Sequence, residues 1–231
     1  MQLTVQYDCT TLCSWIGGRG VNVDDLVTRL GRLDTPWIAD AQQGLGVLDA
    51  GIRSVVSGKK VVGTAFTVKC YPGSIITVHK ALVEARAGDV LVVDGEGDSR
   101  AGALMGALMA REAVDRGIAG VVIDGAVRDS ADLQTVGLPV FARQVTPRVG
   151  VNRRLGCTQV PVTVGGVIVH PGDYILGDDD GVVVIPASQI ETVIEAAEAI
   201  QVKEQRIAEA IARHERVADI LNLRPLFEAS K

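Results

Sequence analysis

Residues 88–129, GDVLVVDGEGDSRAGALMGALMAREAVDRGIAGVVIDGAVRD, decide the fold. Within them, an apolar strand at 90–93 is followed by a turn rich in Asp and Gly, by a helix entered at Gly106, and by a second apolar strand at 121–123. Two strands joined through a helix usually lie parallel in one sheet. We therefore predict an α/β protein built on a parallel sheet.

The second strand leads directly into Arg128 and Asp129. Ligands of open α/β sheets bind beyond the carboxyl ends of the parallel strands, so this pair is the first candidate for a functional site. A guanidinium grips a carboxylate through two hydrogen bonds, and a carboxylate oxygen is a good ligand for Mg²⁺. The pair predicts binding of a small anion together with a metal, and the alternative is a structural salt bridge at a strand end.

Composition limits the class of protein. The chain has 231 residues, of which 47% are hydrophobic and only 3% aromatic, a balance typical of aliphatic cores with strands buried on both faces. Its net charge is -5, with 23 Lys and Arg against 28 Asp and Glu, which argues against a nucleic-acid surface. We predict one compact domain over residues 1–231 and no nucleic-acid partner.

The N-terminus and the cysteines bear on the cellular compartment. The first residues, MQLTVQYDCTTLCSW, lack a secretory signal, and no apolar run approaches the roughly 18 residues that span a bilayer. We therefore expect a cytoplasmic protein with no membrane partner. Cys9, Cys13, Cys70 and Cys157 show no paired metal-site spacing, and we interpret them as free thiols, mostly buried. A metal clip formed by Cys9 and Cys13 is the less favoured alternative.

The rest of the chain changes character towards its C-terminus. We predict helices at 24–32, from Ser74 or Thr77 to 87, at 130–136 and over 187–221, and strands at 59–68, 140–142, 160–164, 166–170, 174–176 and 182–185. The closely spaced Val-rich strands indicate that hairpins, and so an antiparallel portion, come after the parallel one. Residues 187–221 form one long helix or two in tandem, and we expect the extension 187–231 to pack on a neighbouring subunit.

Four motifs in order, GDVLVVDG, ALMGALMA, GVVIDGAVRD and PGDYILGDDDGVVVIP, resemble the RraA-like family. That family includes class II pyruvate aldolases acting on 4-hydroxy-4-methyl-2-oxoglutarate and 4-carboxy-4-hydroxy-2-oxoadipate, and the regulators of ribonuclease activity A. The resemblance spans about 24–213. It implies a single-domain β/β/α fold like the swivelling phosphohistidine domain, with mixed sheets and a long C-terminal helix. It also implies a homotrimer or hexamer with its active site between subunits.

The resemblance also implies roles for the pair. Arg128 would bind the carboxylate or keto oxygen of a pyruvyl group and stabilise its enolate, because a fixed positive charge lies where negative charge develops. Asp129 would be the direct ligand of Mg²⁺ or Mn²⁺, which acts as a Lewis acid on the 2-keto group. Arg128 is therefore expected to serve both catalysis and substrate binding, and Asp129 both catalysis and metal binding.

A helix N-terminus completes the expected substrate site. Gly106, Ala107, Leu108 and Met109 stand where the family has Gly, an acidic residue and two Leu, and free backbone N–H groups of a first helical turn bind carboxylates. The acidic residue, which supports metal-bound water or transfers a proton in the aldolases, is replaced by Ala107 in this chain. Its loss weakens the specific aldolase assignment. Asp94, Glu96 and Asp98 are candidate replacements, and their alternative role is in turns and caps.

Two further residues are expected to contribute from elsewhere. The resemblance implies that Glu204, on the C-terminal helix, reaches the metal-bound waters of a neighbouring subunit; Glu198 and Glu209 share that helix, and a solvated helix face is the alternative for all three. His79 matches a histidine of family members and is a candidate for orienting substrate or relaying a proton. Packing without a chemical role is the alternative for His79.

These residues together predict a metal-dependent carbon–carbon lyase. Its substrates would be small 2-oxo dicarboxylic acids, and retro-aldol release of pyruvate and decarboxylation of oxaloacetate would pass through the same enolate. Two alternatives remain open. One is a non-catalytic regulator that binds ribonuclease E, and the other is a related lyase or tautomerase with a changed proton donor.

Overall fold

The computed structural model describes residues 23–97 and 101–228. Cys9, Cys13 and Asp98, which the sequence offered as a metal clip and a replacement carboxylate, lie outside these ranges. No helix in the described part of the chain is long and apolar enough to cross a membrane.

The described residues form eleven strands, eight α-helices and one 3-10 helix (Ala187–Gln189). The strands are β1 (Arg53–Ser54), β2 (Val61–Lys69), β3 (Asp89–Asp94), β4 (Ala103–Met105), β5 (Gly120–Val127), β6 (Val140–Val145), β7 (Cys157–Thr158), β8 (Val162–Val164), β9 (Val167–Val169), β10 (Tyr174–Asp178) and β11 (Gly181–Ile185). The helices are α1 (Val23–Leu30), α2 (Thr35–Ala41), α3 (Ile76–Glu84), α4 (Ala107–Asp115), α5 (Ser130–Val136), α6 (Ile190–Ala212), α7 (Val217–Ile220) and α8 (Arg224–Glu228).

One mixed sheet organises the chain. Its strand order is β1-β6-β5-β3-β2-β10-β11, with β4 beside β5 and β7 beside β2. Strands β2, β3, β5 and β6 run parallel, whereas β10 and β11 pair antiparallel and join the sheet through β2. The predicted change from a parallel to an antiparallel portion is confirmed, and so is the mixed α/β fold with a long C-terminal helix.

The central strands have a core on both faces. Leu91 and Val93 point to one face, where α3, α4 and α5 pack, and Val90 and Val92 point to the other, where the β8–β9 hairpin packs. All four side chains are almost fully buried. Burial on both faces explains why these strands read as continuous apolar runs rather than as alternating patterns.

A third cluster holds the long helix α6 against its own chain. Val193, Ile194 and Ala197 in its first half pack against Leu30 and Ile38 of α1 and α2. Further along, Val202 and Ile211 are exposed. The N-terminal half of α6 is therefore part of the chain's own core. Packing of the extension on a neighbouring subunit stays a prediction, and it now concerns the C-terminal half of α6 and the residues after it.

Three strands, β1, β4 and β7, were not predicted from the sequence, and β4 is the one that bears on the site. Ala103–Met105 forms β4, which lies parallel to β5 in a region interpreted as a turn leading to the helix at Gly106. Its three side chains are all buried, so the strand has no alternation of polar and apolar residues. The strand fixes the start of α4 beside the end of β5, and this juxtaposition builds the site.

Candidate functional site

The site lies where β5 ends and α5 begins. Arg128 and Asp129 are the two residues between these elements, and Arg128 N–H donates to the Met105 carbonyl at 3.0 Å, tying the end of β5 to β4. Asp129 has φ 60° and ψ 41°, in the left-handed region, which Asp tolerates better than most residues with a Cβ. Backbone strain of this kind is common at functional sites, where the surrounding structure enforces it.

The Asp129 carboxylate is held by two donors. Arg128 Nε donates to Oδ1 at 3.0 Å, and the backbone N–H of Ala107, the first residue of α4, donates to Oδ2 at 3.2 Å. The pKa of Asp129 is lowered, first by the Arg128 hydrogen bond and then, against desolvation, by the Ala107 N–H. The carboxylate is therefore ionised at neutral pH, and its remaining lone pairs are available to a ligand.

Gly106 leaves room for that carboxylate. A Cβ added at this position would lie 2.6 Å from Asp129 Oδ2 and 3.0 Å from Arg128 Cγ. Its φ of -142° is accessible to any residue, so space rather than backbone conformation requires glycine here. Gly106 is thus placed beside Arg128 and Asp129, although it has no side chain with which to bind a ligand.

The first turn of α4 faces the same place. The N–H groups of Leu108 and Met109 belong to the first helical turn and have no acceptor within the helix, so they can bind an anion. Ala107 and Met109 are buried, whereas the Leu108 side chain is 82% exposed. The structure brings the predicted residues 106–109 together with Arg128 and Asp129.

These elements enclose a cavity of about 250 Å³. His79, on α3, lines it together with the ion pair and residues 106, 108 and 109, so this candidate also belongs to the site. Ile75 and Val149 complete the wall from distant parts of the chain. Sequence reasoning missed both, because nothing distinguishes an apolar side chain that faces a cavity from one that faces the core.

The donor set limits which metal the site can hold. Within residues 23–97 and 101–228, no group of three or more His, Cys, Asp or Glu side chains is placed to hold a metal. Mg²⁺ is often bound through one or two carboxylates, with waters and substrate oxygens completing its shell. Asp129 therefore fits Mg²⁺ or Mn²⁺ bound through one carboxylate, and the site does not fit a tetrahedral zinc centre.

The proposed replacement carboxylates face elsewhere. Lys69 Nζ pairs with Asp94 at 2.9 Å and with Glu96 at 3.3 Å. Asp94 and Asp124 lie on the face covered by the β8–β9 hairpin, whose Thr163 and Gly165 N–H groups donate to them at 3.3 and 2.7 Å. Neither Asp94 nor Glu96 lines the cavity. Asp94 Oδ1 accepts the Glu96 N–H at 2.9 Å in the turn after β3, which is the alternative role expected of Asp94.

Glu204 lies away from this cavity within its own chain. Its Oε2 accepts a hydrogen bond from Trp37 Nε1 at 2.6 Å, beside the acidic turn at 178–180. Glu198, another candidate on α6, is ion-paired with Arg29 at 2.7 Å. The hydrogen bond from Arg29 lowers the pKa of Glu198. That Glu204 reaches the metal site of another subunit therefore stays a prediction.

Two thiols can be assessed in the structure. Cys70 and Cys157 are free, as predicted. Cys70 is buried, and that burial raises the pKa of its thiol to about 12, whereas Cys157 is exposed. Cys70 is therefore inert as a nucleophile at neutral pH.

The chain is similar to known proteins of one family. The RraA-like family model, described as Aldolase/RraA, matches residues 35–184. A protein of Halalkalibacterium halodurans, provisionally named 4-hydroxy-4-methyl-2-oxoglutarate aldolase, is 38% identical over 188 residues, which cover 81% of this chain and 89% of that protein.

Solved structures share the fold. An uncharacterized protein from Pseudomonas syringae pv. tomato superposes with a TM-score of 0.77 at 32% identity, covering 85% of this chain and 96% of that one. A Streptomyces coelicolor protein, described as an unusual member of the RNase ES inhibitor RraA protein family, gives a TM-score of 0.73 at 30% identity and covers 80% of this chain and 97% of its own.

Proposed function

This chain belongs to the RraA-like family, and from that premise we propose that it is a divalent-metal-dependent carbon–carbon lyase that releases pyruvate from a small 2-oxo acid. One observation carries the proposal. The ion pair of Arg128 and Asp129 shares a cavity with the first turn of α4, so a cation, a metal ligand and free backbone donors converge on one place.

Arg128 supplies the fixed positive charge. Its Nε is committed to Asp129, and its terminal nitrogens remain to bind the carboxylate or the 2-oxo oxygen of the substrate. When the bond between C3 and C4 breaks, its electron pair passes into the pyruvyl fragment and negative charge grows on the 2-oxo oxygen. A guanidinium already in position stabilises that charge without reorganisation.

Asp129 would hold Mg²⁺ or Mn²⁺, and a bound metal supplies Lewis acidity at the 2-oxo group. The lowered pKa of Asp129 keeps its carboxylate ionised and so able to bind a cation. The N–H of Ala107 and the Arg128 guanidinium fix the orientation of the carboxylate. The substrate carboxylate then lies against the N–H groups of Leu108 and Met109.

The proton must be handled without the acidic residue that Ala107 replaces. Retro-aldol cleavage takes a proton from the C4 hydroxyl and returns one to C3 of the pyruvate enolate. His79 lines the cavity, and an imidazole ring nitrogen can both accept and donate a proton. We assign this proton transfer to His79, and its alternative role is to orient the substrate.

The assembly is part of the proposal. Asp129 is the only carboxylate of the described part of the chain that lines the cavity. Glu204 of a neighbouring subunit in a trimer or hexamer would add a second acidic group near the metal waters. This arrangement agrees with the absence of Glu204 from the residues that line the cavity of its own chain.

The test is pyruvate release coupled to lactate dehydrogenase. Oxaloacetate and 4-hydroxy-4-methyl-2-oxoglutarate are supplied with Mg²⁺, with Mn²⁺, and with EDTA. We expect release with metal and its loss with EDTA. Equal release with and without EDTA would contradict a metal-dependent lyase.

The second candidate is a regulator that binds a ribonuclease without catalysis, and Ala107 is the observation that favours it. A binding protein needs no proton-transfer carboxylate, but it also needs no ionised Asp129 beside a cavity. Oxalate, a stable analogue of the pyruvate enolate, separates the two. If Mg²⁺ with oxalate leaves the melting temperature unchanged, that result would favour the ribonuclease-binding regulator and would contradict the lyase.

A further inference from the structure

Two glutamates of α6 have different partners within their own chain. Glu198 is ion-paired with Arg29 at 2.7 Å, so its charge is already balanced. Glu204 Oε2 accepts a hydrogen bond from Trp37 Nε1 at 2.6 Å. Within residues 23–97 and 101–228, Glu204 forms no ion pair. Its carboxylate is therefore bonded to a neutral donor, whereas that of Glu198 is bonded to a cation.

A neutral donor has a particular effect on a carboxylate. The indole N–H donates a hydrogen bond but carries no charge. An arginine in the same place would fix the carboxylate and balance its charge as well, as Arg29 does for Glu198. Trp37 fixes one oxygen of Glu204 and leaves the negative charge available to a cation. Hydrogen bonds that orient charged groups in this way are typical of the surroundings of metal sites.

The donor is itself held in place. Trp37 lies in the first turn of α2 and packs against the core cluster that holds α6. The start of α2 is fastened to the β10–β11 turn, because the N–H and Oγ1 of Thr35 donate to the two carboxylate oxygens of Asp178 at 2.8 and 2.6 Å. A glutamate side chain has several torsions, and fixing them costs conformational entropy. A rigid indole N–H fixes the Glu204 carboxylate before any ligand binds.

We infer that Trp37 is a positioning residue, whose indole N–H orients the Glu204 carboxylate so that its other oxygen, Oε1, is available to the metal-bound waters of the neighbouring subunit. The inference rests on the proposed function, which supplies the metal site and the place of Glu204 beside it. Trp37 acts only through Glu204, and binds neither metal nor substrate.

The first test removes the donor and measures metal binding. Trp37→Phe keeps an aromatic ring against the core cluster and lacks the N–H. We expect Mg²⁺, titrated calorimetrically in the presence of oxalate, to bind about tenfold more weakly, the scale on which groups that orient a metal site act. Glu198→Gln is the matched control on α6 and should keep the wild-type affinity. Wild-type affinity in Trp37→Phe would overturn the inference.

A double-mutant cycle separates positioning from packing. In a Glu204→Ala background the group that Trp37 orients is gone, so Trp37→Phe should weaken Mg²⁺ binding no further. If Trp37 acted only by packing α2 against the core, Trp37→Phe would weaken binding by the same factor in both backgrounds. Equal factors would therefore overturn the inference.

A second measurement keeps Trp37 in place, so it does not depend on the folding of Trp37→Phe. The chain has two tryptophans, and Trp15→Phe leaves Trp37 as the only fluorophore of this kind. We expect Mg²⁺ with oxalate to shift the emission maximum of Trp37, because the carboxylate bonded to its N–H then interacts with the metal site. The shift should disappear when Glu204→Ala is added. No shift, or an equal shift in both variants, would overturn the inference.

Binding and turnover separate the two possible failures. A wild type that releases no pyruvate, but in which residues 37 and 204 depend on each other for Mg²⁺ binding, would sustain the positioning role and contradict the lyase. Metal-dependent pyruvate release, with Trp37→Phe as active and as tightly binding as the wild type, would sustain the lyase and overturn the positioning role.

Discussion

The carboxylates of Asp94 and Asp124, on β3 and β5, form one set, and the carboxylate of Asp129, just after β5, forms the other. The two sets lie on different faces of the sheet. Asp94 and Asp124 lie under the β8–β9 hairpin, their side chains are 8% and 11% exposed, and they are paired with Lys69 and Arg143 at 2.9 and 2.6 Å. Asp129 lies on the other side, with its side chain 31% exposed. The first set is enclosed by donors, whereas Asp129 faces a cavity.

The difference shows how one kind of sequence signal produces two roles. In each set a carboxylate meets a cation and a backbone N–H. The N–H groups that reach Asp94 and Asp124 come from the β8–β9 hairpin and fasten it to the sheet. The N–H that reaches Asp129 comes from the first residue of α4, and the neighbouring N–H groups remain for a ligand.

The largest expected effect is a loss of activity when Asp129, rather than Asp94 or Asp124, is replaced. Asp129→Ala should lower metal-dependent pyruvate release roughly a thousandfold or more, because the metal stabilises charge in the transition state by several kcal/mol. The fold and assembly should persist, since the residue is partly exposed. Asp132→Ala, at an exposed acidic residue on α5, is the control in the same coupled assay. Retention of activity in Asp129→Ala would contradict the assignment of the metal to Asp129.

The next effect concerns space around Asp129. Gly106→Ala should lower activity by up to about a hundredfold, because its Cβ would displace a carboxylate only 2.6 Å away, and small misplacements of catalytic groups are costly. The melting temperature should hardly change, since the backbone of Gly106 suits alanine. A loss of stability matching the loss of activity would mean that Gly106 acts through the fold.

The opposite behaviour is expected on the hairpin face. Asp124→Ala should lower the free energy of unfolding by about 2 kcal/mol, since it leaves the Gly165 N–H and Arg143 without their shared acceptor. Denaturant unfolding measures this change, and pyruvate release from the remaining folded protein should stay near the wild-type rate. A specific loss of activity at full stability would place Asp124 in the chemistry.

The smallest expected effect concerns Ala107, at the start of α4, which stands where the family has an acidic residue. Ala107→Glu restores the acidic residue of the family and should raise aldolase activity about tenfold, the scale on which groups supporting a metal act. Pyruvate release from 4-hydroxy-4-methyl-2-oxoglutarate measures it, with Ala107→Gln as the uncharged control. A fall to zero with glutamate would mean that this cavity is built for a different substrate.

Much of the fold could be predicted because local signals agree. Apolar runs ending in Asp or Gly predicted β3 and β5, and the helix predicted at 130–136 has the bounds observed for α5. Strand β4 was missed because three buried residues carry no periodic pattern. The grouping of residues at the candidate site could be predicted where those residues are close in sequence, at 106–109 and 128–129.

The features that could not be predicted depend on three-dimensional position. The sheet decides which carboxylates share a face with the α4 N-terminus, and a position at a strand end does not by itself tell whether Asp94 belongs to the site with Asp129. The left-handed backbone of Asp129 has no sequence marker. Ile75 and Val149 reach the cavity through the contacts of distant segments, and the bond from Trp37 to Glu204 joins α2 to α6 in the same way.

Calorimetric titration of oxalate in the presence of Mg²⁺ tests the role of the β5 end most sharply. It is applied to the wild type, to Asp129→Asn and to Asp124→Asn under conditions where each is folded. We expect Mg²⁺-dependent binding in the wild type and in Asp124→Asn, and its loss in Asp129→Asn alone. Binding by Asp129→Asn as tight as that of the wild type would contradict the assignment of the metal and substrate to the end of β5.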